Sequence, residues 1–229
     1  MEIKPIAYIN TDFKEKFGIP RQSGRVGAEG EIVFLKEYQN PDALRGIESF
    51  SHLWLLFDFS QNHREGFSPT VRPPRLGGNT HIGVFASRAP FRPNNIGLSC
   101  VELIEVKKSE NDGLILRVKG VDLLDKTPIY DIKPYIPYCD CIENARGSYA
   151  ENFKDYTLKV QDNENKLVII PENKRKIAIN CLCEDIRPSY QEDSERIYKW
   201  LFSDYEISFK VENDVVIVTE CVNIKNSEY

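Results

Sequence analysis

No apolar stretch in this sequence approaches the roughly 18–20 residues that a membrane-spanning helix needs. The N-terminal MEIKPIAYIN lacks the basic, apolar and small-residue regions of a secretory signal. A soluble, cytoplasmic protein with no membrane partner is the expectation. No G-x-G-x-x-G opens a helix after a strand, so the dinucleotide-type Rossmann fingerprint is missing. H-E-x-x-H and G-x-S-x-G are missing too. Histidine is scarce: His52, His63 and His81 are the three. They lie far along the chain from the C-x-C pairs Cys139/Cys141 and Cys181/Cys183. That spacing is shorter than the usual zinc knuckle, so no metal is expected. With no secretion signal, the six cysteines read as reduced thiols filling small apolar sites.

The most informative absence is local. From Gly66 to Val101 there is no Asp or Glu, yet Arg72, Arg75, Arg88 and Arg92 fall there. The whole chain carries a net charge of −5. A positive surface on an acidic protein favours one anionic ligand at one place. The rest of the composition, 41% hydrophobic and 28% charged, is that of an ordinary globular protein. Its 229 residues suit one large domain, or a medium domain with an appendage.

Patterning points to a mainly β fold, an antiparallel barrel or sandwich, over residues 1–149, and to a small α+β C-terminal domain over 150–229. Strands are expected at Ile3–Ile9, Gly30–Glu37, Thr80–Ser87, Gly97–Lys107 and Leu114–Val121. His52–Phe59 (HLWLLFDF) is a continuous apolar run, as in a strand buried on both faces. Asn40-Pro41 starts a short helix, with Asn as cap and Pro in the first turn. Beyond Gly147, Asp162–Asn165 reads as a turn, and helices are expected at Asn173–Asp185 and Asp193–Leu201. A hairpin, Tyr205–Val211 with Asp214–Cys221, turns around Glu212-Asn213. Eight of the 13 prolines fall between Pro69 and Pro137. Loops stiffened in this way are functional more often than idle.

Four clusters carry potential chemistry. Pro20-Arg21-Gln22-Ser23-Gly24 offers several donors to a carboxylate or an adenine edge, or is a plain polar loop. In Val71–Asn79 (VRPPRLGGN), prolines hold Arg72 and Arg75 apart, which suits an oxyanion, or leaves two solvated arginines. Phe85–Ser99 interleaves Arg88 and Arg92 with two phenylalanines, a seat for an adenine ring beside an anion, or a surface loop anchored by Phe. In Asp122–Tyr138, Asp122 and Asp125 suit ribose hydroxyls or a positive charge, or a simple turn. Lys133, Tyr135 and Tyr138 suit a nucleic-acid backbone or a stacked base. These readings reach a rigid anion site on a β-rich protein and stop short of a reaction.

The motifs PRQSG, FSHLWLLFDF, VRPPRLGGN, GVFASRAPFRPNNIGLS and DLLDKTPIYDIKPYIPY together resemble the TrmO/YaeB-like family, in that family's order. The resemblance covers roughly residues 3–145, and DIRPSYQEDSERIY with the following hairpin is similar to the C-terminal domain of longer members. It implies a β-barrel methyltransferase, a homodimer, and S-adenosyl-L-methionine as cofactor. The implied substrate is N6-threonylcarbamoyladenosine at position 37 of tRNA, which gains a methyl on N6. Carried onto this chain, cofactor contacts are implied at Pro20, Arg21, Gln22, His63, Arg64, Arg88, Leu98, Asp122, Leu123, Leu124 and Asp125. Substrate contacts are expected at Arg72, Arg75, Arg92, Lys133 and Tyr135. Asp125, Asp131 and Tyr135 are candidates for assisting loss of the N6 proton. The chain departs from the pattern at Ser60 (for His), Asn95 (for Pro) and Ile186 (for Pro), and carries Cys139 and Cys141 outside it. Two other readings are an RNA-binding barrel without catalysis and a methyltransferase acting on a small molecule.

Overall fold

Alternating apolar residues close six strands on themselves. The computed structural model describes residues 2–187 and 193–226. In chain order the strands are β1 (Ala7–Thr11), β2 (Glu29–Phe34), β3 (His52–Asp58), β4 (Thr70–Val71), β5 (Ile82–Gly83), β6 (Ile96–Ser109), β7 (Gly113–Lys119), β8 (Thr127–Pro134), β9 (Lys159–Gln161), β10 (Tyr198–Phe202), β11 (Tyr205–Glu212) and β12 (Val215–Asn223). The helices are α1 (Pro137–Asp140) and α2 (Glu172–Cys183). Around the barrel the order is β1-β2-β7-β6-β3-β8, closing back on β1 through pairs that are all antiparallel. Closure leaves no strand edge exposed to foreign pairing.

The period-2 rule explains the core. Ala7 and Ile9 of β1, Ile32 and Phe34 of β2, and Leu53, Leu55 and Phe57 of β3 all point inward and are buried. Burying each large side chain contributes about 1.5–3 kcal/mol. β3 corrects one expectation. Its alternate residues, Trp54 and Leu56, are only half-buried, so the strand is covered on one face. The apolar run therefore reports an outer face that is itself apolar.

Other elements also differ from the sequence reading. Ile3 to Ile6 precede β1, which extends instead to Thr11. Thr80–Ser87 holds only the two-residue β5 and a 3-10 turn, because Val84 is the one buried anchor there. Thr127–Pro134, read as part of a loop, is a barrel strand whose Thr127 and Ile129 point inward. The helix expected at Asp193–Leu201 is a turn followed by β10. Asp193 accepts from the backbone of Glu195 there, but Tyr198, Trp200 and Phe202 bury at strand spacing. The last hairpin turns at Asn213-Asp214, one residue later than expected, with both residues at positive φ. Asn40 caps its short 3-10 helix as expected, accepting from Asp42 N.

The C-terminal segment forms a sheet ordered β10-β11-β12-β9, with α2 packed through Ala178, Cys181 and Leu182. Its core is continuous with the barrel's. The Phe13 and Phe202 rings lie 5.9 Å apart, and their backbones bridge. A Cβ on Gly18 would stand 2.0 Å from Trp200 Nε1, so only glycine fits beneath that indole. Lys174 adds an ion pair to Asp12 at 2.7 Å. The expected 149/150 boundary falls inside the 3-10 helix Ser148–Phe153, and the residues on either side share one core.

Candidate active site

At one end of the barrel, the loops after β1 and β3, the start of β6 and the β7–β8 connection enclose a cleft of about 450 Å³. Eight of the expected cofactor residues line it: Pro20, Arg21 and Gln22 from the first loop, Arg88 and Leu98 around the start of β6, and Asp122, Leu123 and Leu124. Arg92 lines it as well. The floor depends on Gly97: a Cβ there would meet the Phe57 ring at 2.2 Å. Phe57 in turn packs edge-on against Phe59, with centroids 5.1 Å apart.

The polar groups are individually held. Ser99 Oγ donates to Asp122 Oδ1 at 2.5 Å. Burial pushes the Asp122 carboxyl up to about 6, opposed in part by the Ser99 hydrogen bond and by the charge of Arg88. Arg88 Nη1 donates to Gln22 Oε1 at 2.6 Å, tying two of the four clusters across the cleft. Arg92 Nη1 donates to the carbonyls of Val84 (3.0 Å) and Ser87 (2.8 Å), folding its own loop. Asp58, Ser60, Ser99 and Thr127 also line the cleft, and the sequence reading did not single them out as contacts. Their inward register on β6 and β8 was the available signal for Ser99 and Thr127.

A second, wider cleft of about 1290 Å³ opens alongside and shares Arg21, Gln22 and Arg88 with the first. Arg64, Arg72 and Arg75 line it. Arg64 lies 4.3 Å over the Phe91 ring, and Arg75 lies 4.8 Å over Tyr156. Phe85 is 73% exposed and stacks on Phe67. Guanidinium groups among open aromatic rings form a wall suited to bases and phosphates.

Four expected contacts lie outside both clefts. His63 Nε2 sits 2.6 Å from Asp58 Oδ1, so it reaches the first cleft only through that carboxylate. Asp125 is occupied with Lys14 (2.8 Å) and the backbone of Thr11 (2.9 Å). Lys133 is six residues along β8 from the cleft-lining Thr127, roughly 20 Å at strand rise. It pairs with Asp131 at 2.8 Å. Tyr135 packs on Trp54, with centroids 5.8 Å apart. The three proton-acceptor candidates, Asp125, Asp131 and Tyr135, therefore line neither cleft.

Residues 8–141 match the family model described as the tRNA-methyltransferase O N-terminal domain. The chain belongs to the tRNA-methyltransferase O family. It is 40% identical over 219 residues to the tRNA (adenine(37)-N6)-methyltransferase of Escherichia coli K12, covering 92% of this chain and 93% of that one. To the protein of the same name from Eikenella corrodens it is 39% identical over 172 residues, covering 74% and 96%. The crystal structure of TrmO from Pseudomonas aeruginosa superposes with a TM-score of 0.78 at 31% identity, covering 97% of this chain and 98% of that one.

In this family member, the departures from the motif pattern have physical accounts. Asn95 replaces a rigid proline with an amide that donates to the Pro90 carbonyl at 2.7 Å, so the loop is tied by a hydrogen bond instead. Ser60 is exposed and lines the first cleft. Ile186 packs against the shared core. The Pro188–Glu192 part of the C-terminal motif lies outside the described residues. The first cleft fits S-adenosylmethionine by size, since ligand sites run roughly 300–1,000 Å³. It fits by chemistry too: Leu98, Leu123 and Phe57 offer apolar surface, Asp122 an acceptor, and Arg88 with Gln22 donors.

Proposed function

We propose that this protein methylates N6 of threonylcarbamoyladenosine at position 37 of tRNA. Membership of the family carries the coarser statement: it is an S-adenosylmethionine-dependent tRNA methyltransferase. The observation that supports the finer reading is the junction of the two clefts. An enclosed cleft with an acceptor and apolar walls opens, past Arg21, Gln22 and Arg88, into an arginine-lined aromatic trough.

When bound, S-adenosylmethionine supplies an electrophilic methyl group. The chain's own residues then position and desolvate. Asp122, held by Ser99, accepts from hydroxyls or faces positive charge. Arg88 and Gln22, already bonded to each other, stand ready for an anion at the cleft mouth. Phe85 and Phe91 offer faces for unstacked bases, while Arg72 and Arg75 hold negative groups of the RNA. Lys133 and Tyr135 stand apart from both clefts and take no part in this arrangement.

A homodimer is part of the same proposal. Ile96 and Leu98 face outward on β6, and Leu98 is 51% exposed although it lines the first cleft. Trp54 and Leu56 extend this apolar face on the adjacent β3. A second copy packed there would cover the cleft edge. Sedimentation of the purified protein tests it, and a monomer at micromolar concentration would reject it.

The deciding assay uses purified protein, labelled S-adenosylmethionine, and tRNA with or without threonylcarbamoyl at position 37. Label only on the modified tRNA establishes the reaction. Label on neither, with donor binding still measured by calorimetry, rejects the substrate. Arg75→Ala is expected to raise the tRNA KM more than the cofactor Kd.

A further inference from the structure

Arg21 and Arg75 meet where the two clefts join, and the acids beside them are already taken. The turn after α2, residues 184–187, brings two carboxylates to this place. Arg25 takes Glu184, Nη2 to Oε1 at 2.8 Å. Arg187 takes Asp185 with two bonds, at 2.8 and 3.0 Å. Arg21 and Arg75 receive backbone carbonyls only. Arg21 Nη2 donates to the carbonyls of Asp185 (3.3 Å) and Arg187 (2.8 Å). Arg75 Nη2 donates to that of Glu184 at 3.0 Å. Four guanidinium groups thus share the two carboxylates of this turn.

Both of these arginines also keep a donor unused. Among the described residues, Arg21 Nε and Arg75 Nη1 are buried with no hydrogen-bond partner. A buried donor left without a partner is destabilising, more so on a charged group. Burial, followed by the charge of Arg75, lowers the Arg21 pKa, so the two cations are held together against their preference. The turn does the holding. Asp185 is buried at φ 51°, a left-handed conformation that few residues other than glycine, Asn and Asp adopt. Tyr156 OH steadies it, donating to Asp185 Oδ2 at 3.1 Å. The Tyr156 ring also lies beneath Arg75. The turn thus holds two cations side by side, with Asp185 and Glu184 only partly offsetting their repulsion.

We propose that Arg21 and Arg75, fixed by the 184–187 turn of the C-terminal segment, form an oxyanion subsite that receives one carboxylate or phosphate group of the RNA substrate. The proposal rests on the tRNA reading above and deepens it. Guanidinium forks bind planar oxyanions in bidentate fashion, and both side chains line the second cleft. The subsite also gives the C-terminal segment a role: it positions two arginines of the barrel.

The test uses the full chain and Arg75→Met, which keeps the packed stem on Tyr156 and removes the charge. Arg75→Lys keeps the charge and loses the fork. Free N-carbamoylthreonine and inorganic phosphate are titrated by calorimetry. Wild type should bind at least one of them; Arg75→Met should weaken that binding by at least about tenfold, with Arg75→Lys between. Threonylcarbamoylated and unmodified tRNA are then compared. If the anion is the carboxylate, wild type prefers the modified tRNA and Arg75→Met loses that preference. If it is a phosphate, Arg75→Met weakens both tRNAs equally and lowers the salt slope by about 1. The Tm of Arg75→Met should be unchanged or higher, since the repulsion of Arg21 by Arg75 is gone. Wild type that binds neither probe, or an Arg75→Met protein with unchanged affinity for probes and both tRNAs, overturns the subsite. Arg75-dependent probe binding without methyl transfer to either tRNA would keep the subsite and sink the substrate reading.

Discussion

Asp122 carries a pH signature. Burial raises its carboxyl from 3.8 to about 6. Between those values the folded chain holds a proton that the unfolded chain has lost. This group's contribution to stability therefore falls as pH rises through that window and is level above it. Asp122→Asn should flatten that slope in denaturant melts taken from pH 4 to 7. The ionised form is the better acceptor and the one that faces positive charge. Affinity for S-adenosylmethionine should thus fall below pH 6, by at most about tenfold per unit. Calorimetry that shows the same pH dependence in Asp122→Asn would remove Asp122 from the cofactor site. Gly97 makes a second prediction at this scale. Gly97→Ala forces the Phe57 ring away, at a cost of about 1–3 kcal/mol. The cofactor Kd should rise with it, because that ring is part of the cleft wall. An alanine variant with wild-type stability and affinity would show that the floor yields freely.

Among the elements, the loop from Val84 to Asn95 is held by its own side chains. Arg92 bonds two carbonyls, Asn95 a third, and Phe59 N donates to the Asn95 carbonyl at 2.9 Å. Bonds from a charged donor contribute about 1.5–3 kcal/mol. Arg92→Ala should loosen this loop more than it lowers the global Tm. Hydrogen exchange should speed up in residues 84–95, and the cofactor Kd and tRNA KM should rise together. A selective rise in tRNA KM, with exchange unchanged, would instead make Arg92 a direct RNA contact. The same scale explains two misreadings. Thr127–Pro134 contains two prolines, Pro128 and Pro134, and looks like a loop. The β1 register at Tyr8↔Pro128 and the β3 register at Leu53↔Pro134 nonetheless carry it as a strand. The segment before Trp200 has a capping Asp193, which reads as a helix start, but burial at Tyr198, Trp200 and Phe202 demands period 2. Local signals lose where tertiary burial favours the other period.

For the whole molecule, one continuous core predicts one cooperative transition. Gly18→Ala combines a positive φ of 82° with a collision against Trp200, and should cost roughly 2 kcal/mol or more. It should lower the temperature of a single calorimetric peak. Two separable peaks, one unaffected, would mean that the barrel and the C-terminal segment unfold independently.

The amino-acid sequence alone determined the mainly β class, because alternation along each strand is set by which side chains leave water; closure of six strands into a barrel was decided by their tertiary pairing. The sequence also determined most of the first cleft, since Pro20–Gln22, Arg88, Leu98 and Asp122–Leu124 sit in recognisable runs beside predictable strands. Only the tertiary structure decided which charges are cancelled. Arg25 finds Glu184 159 residues away, and Arg21 finds the Arg187 carbonyl 166 residues away. It also decided that Lys133 stands far from Thr127 although both lie in one motif, and that Asp125 is spent on Lys14. Charge compensation and distance depend on which segments the closed barrel and its packed C-terminal sheet bring together, and spacing along the chain does not encode them.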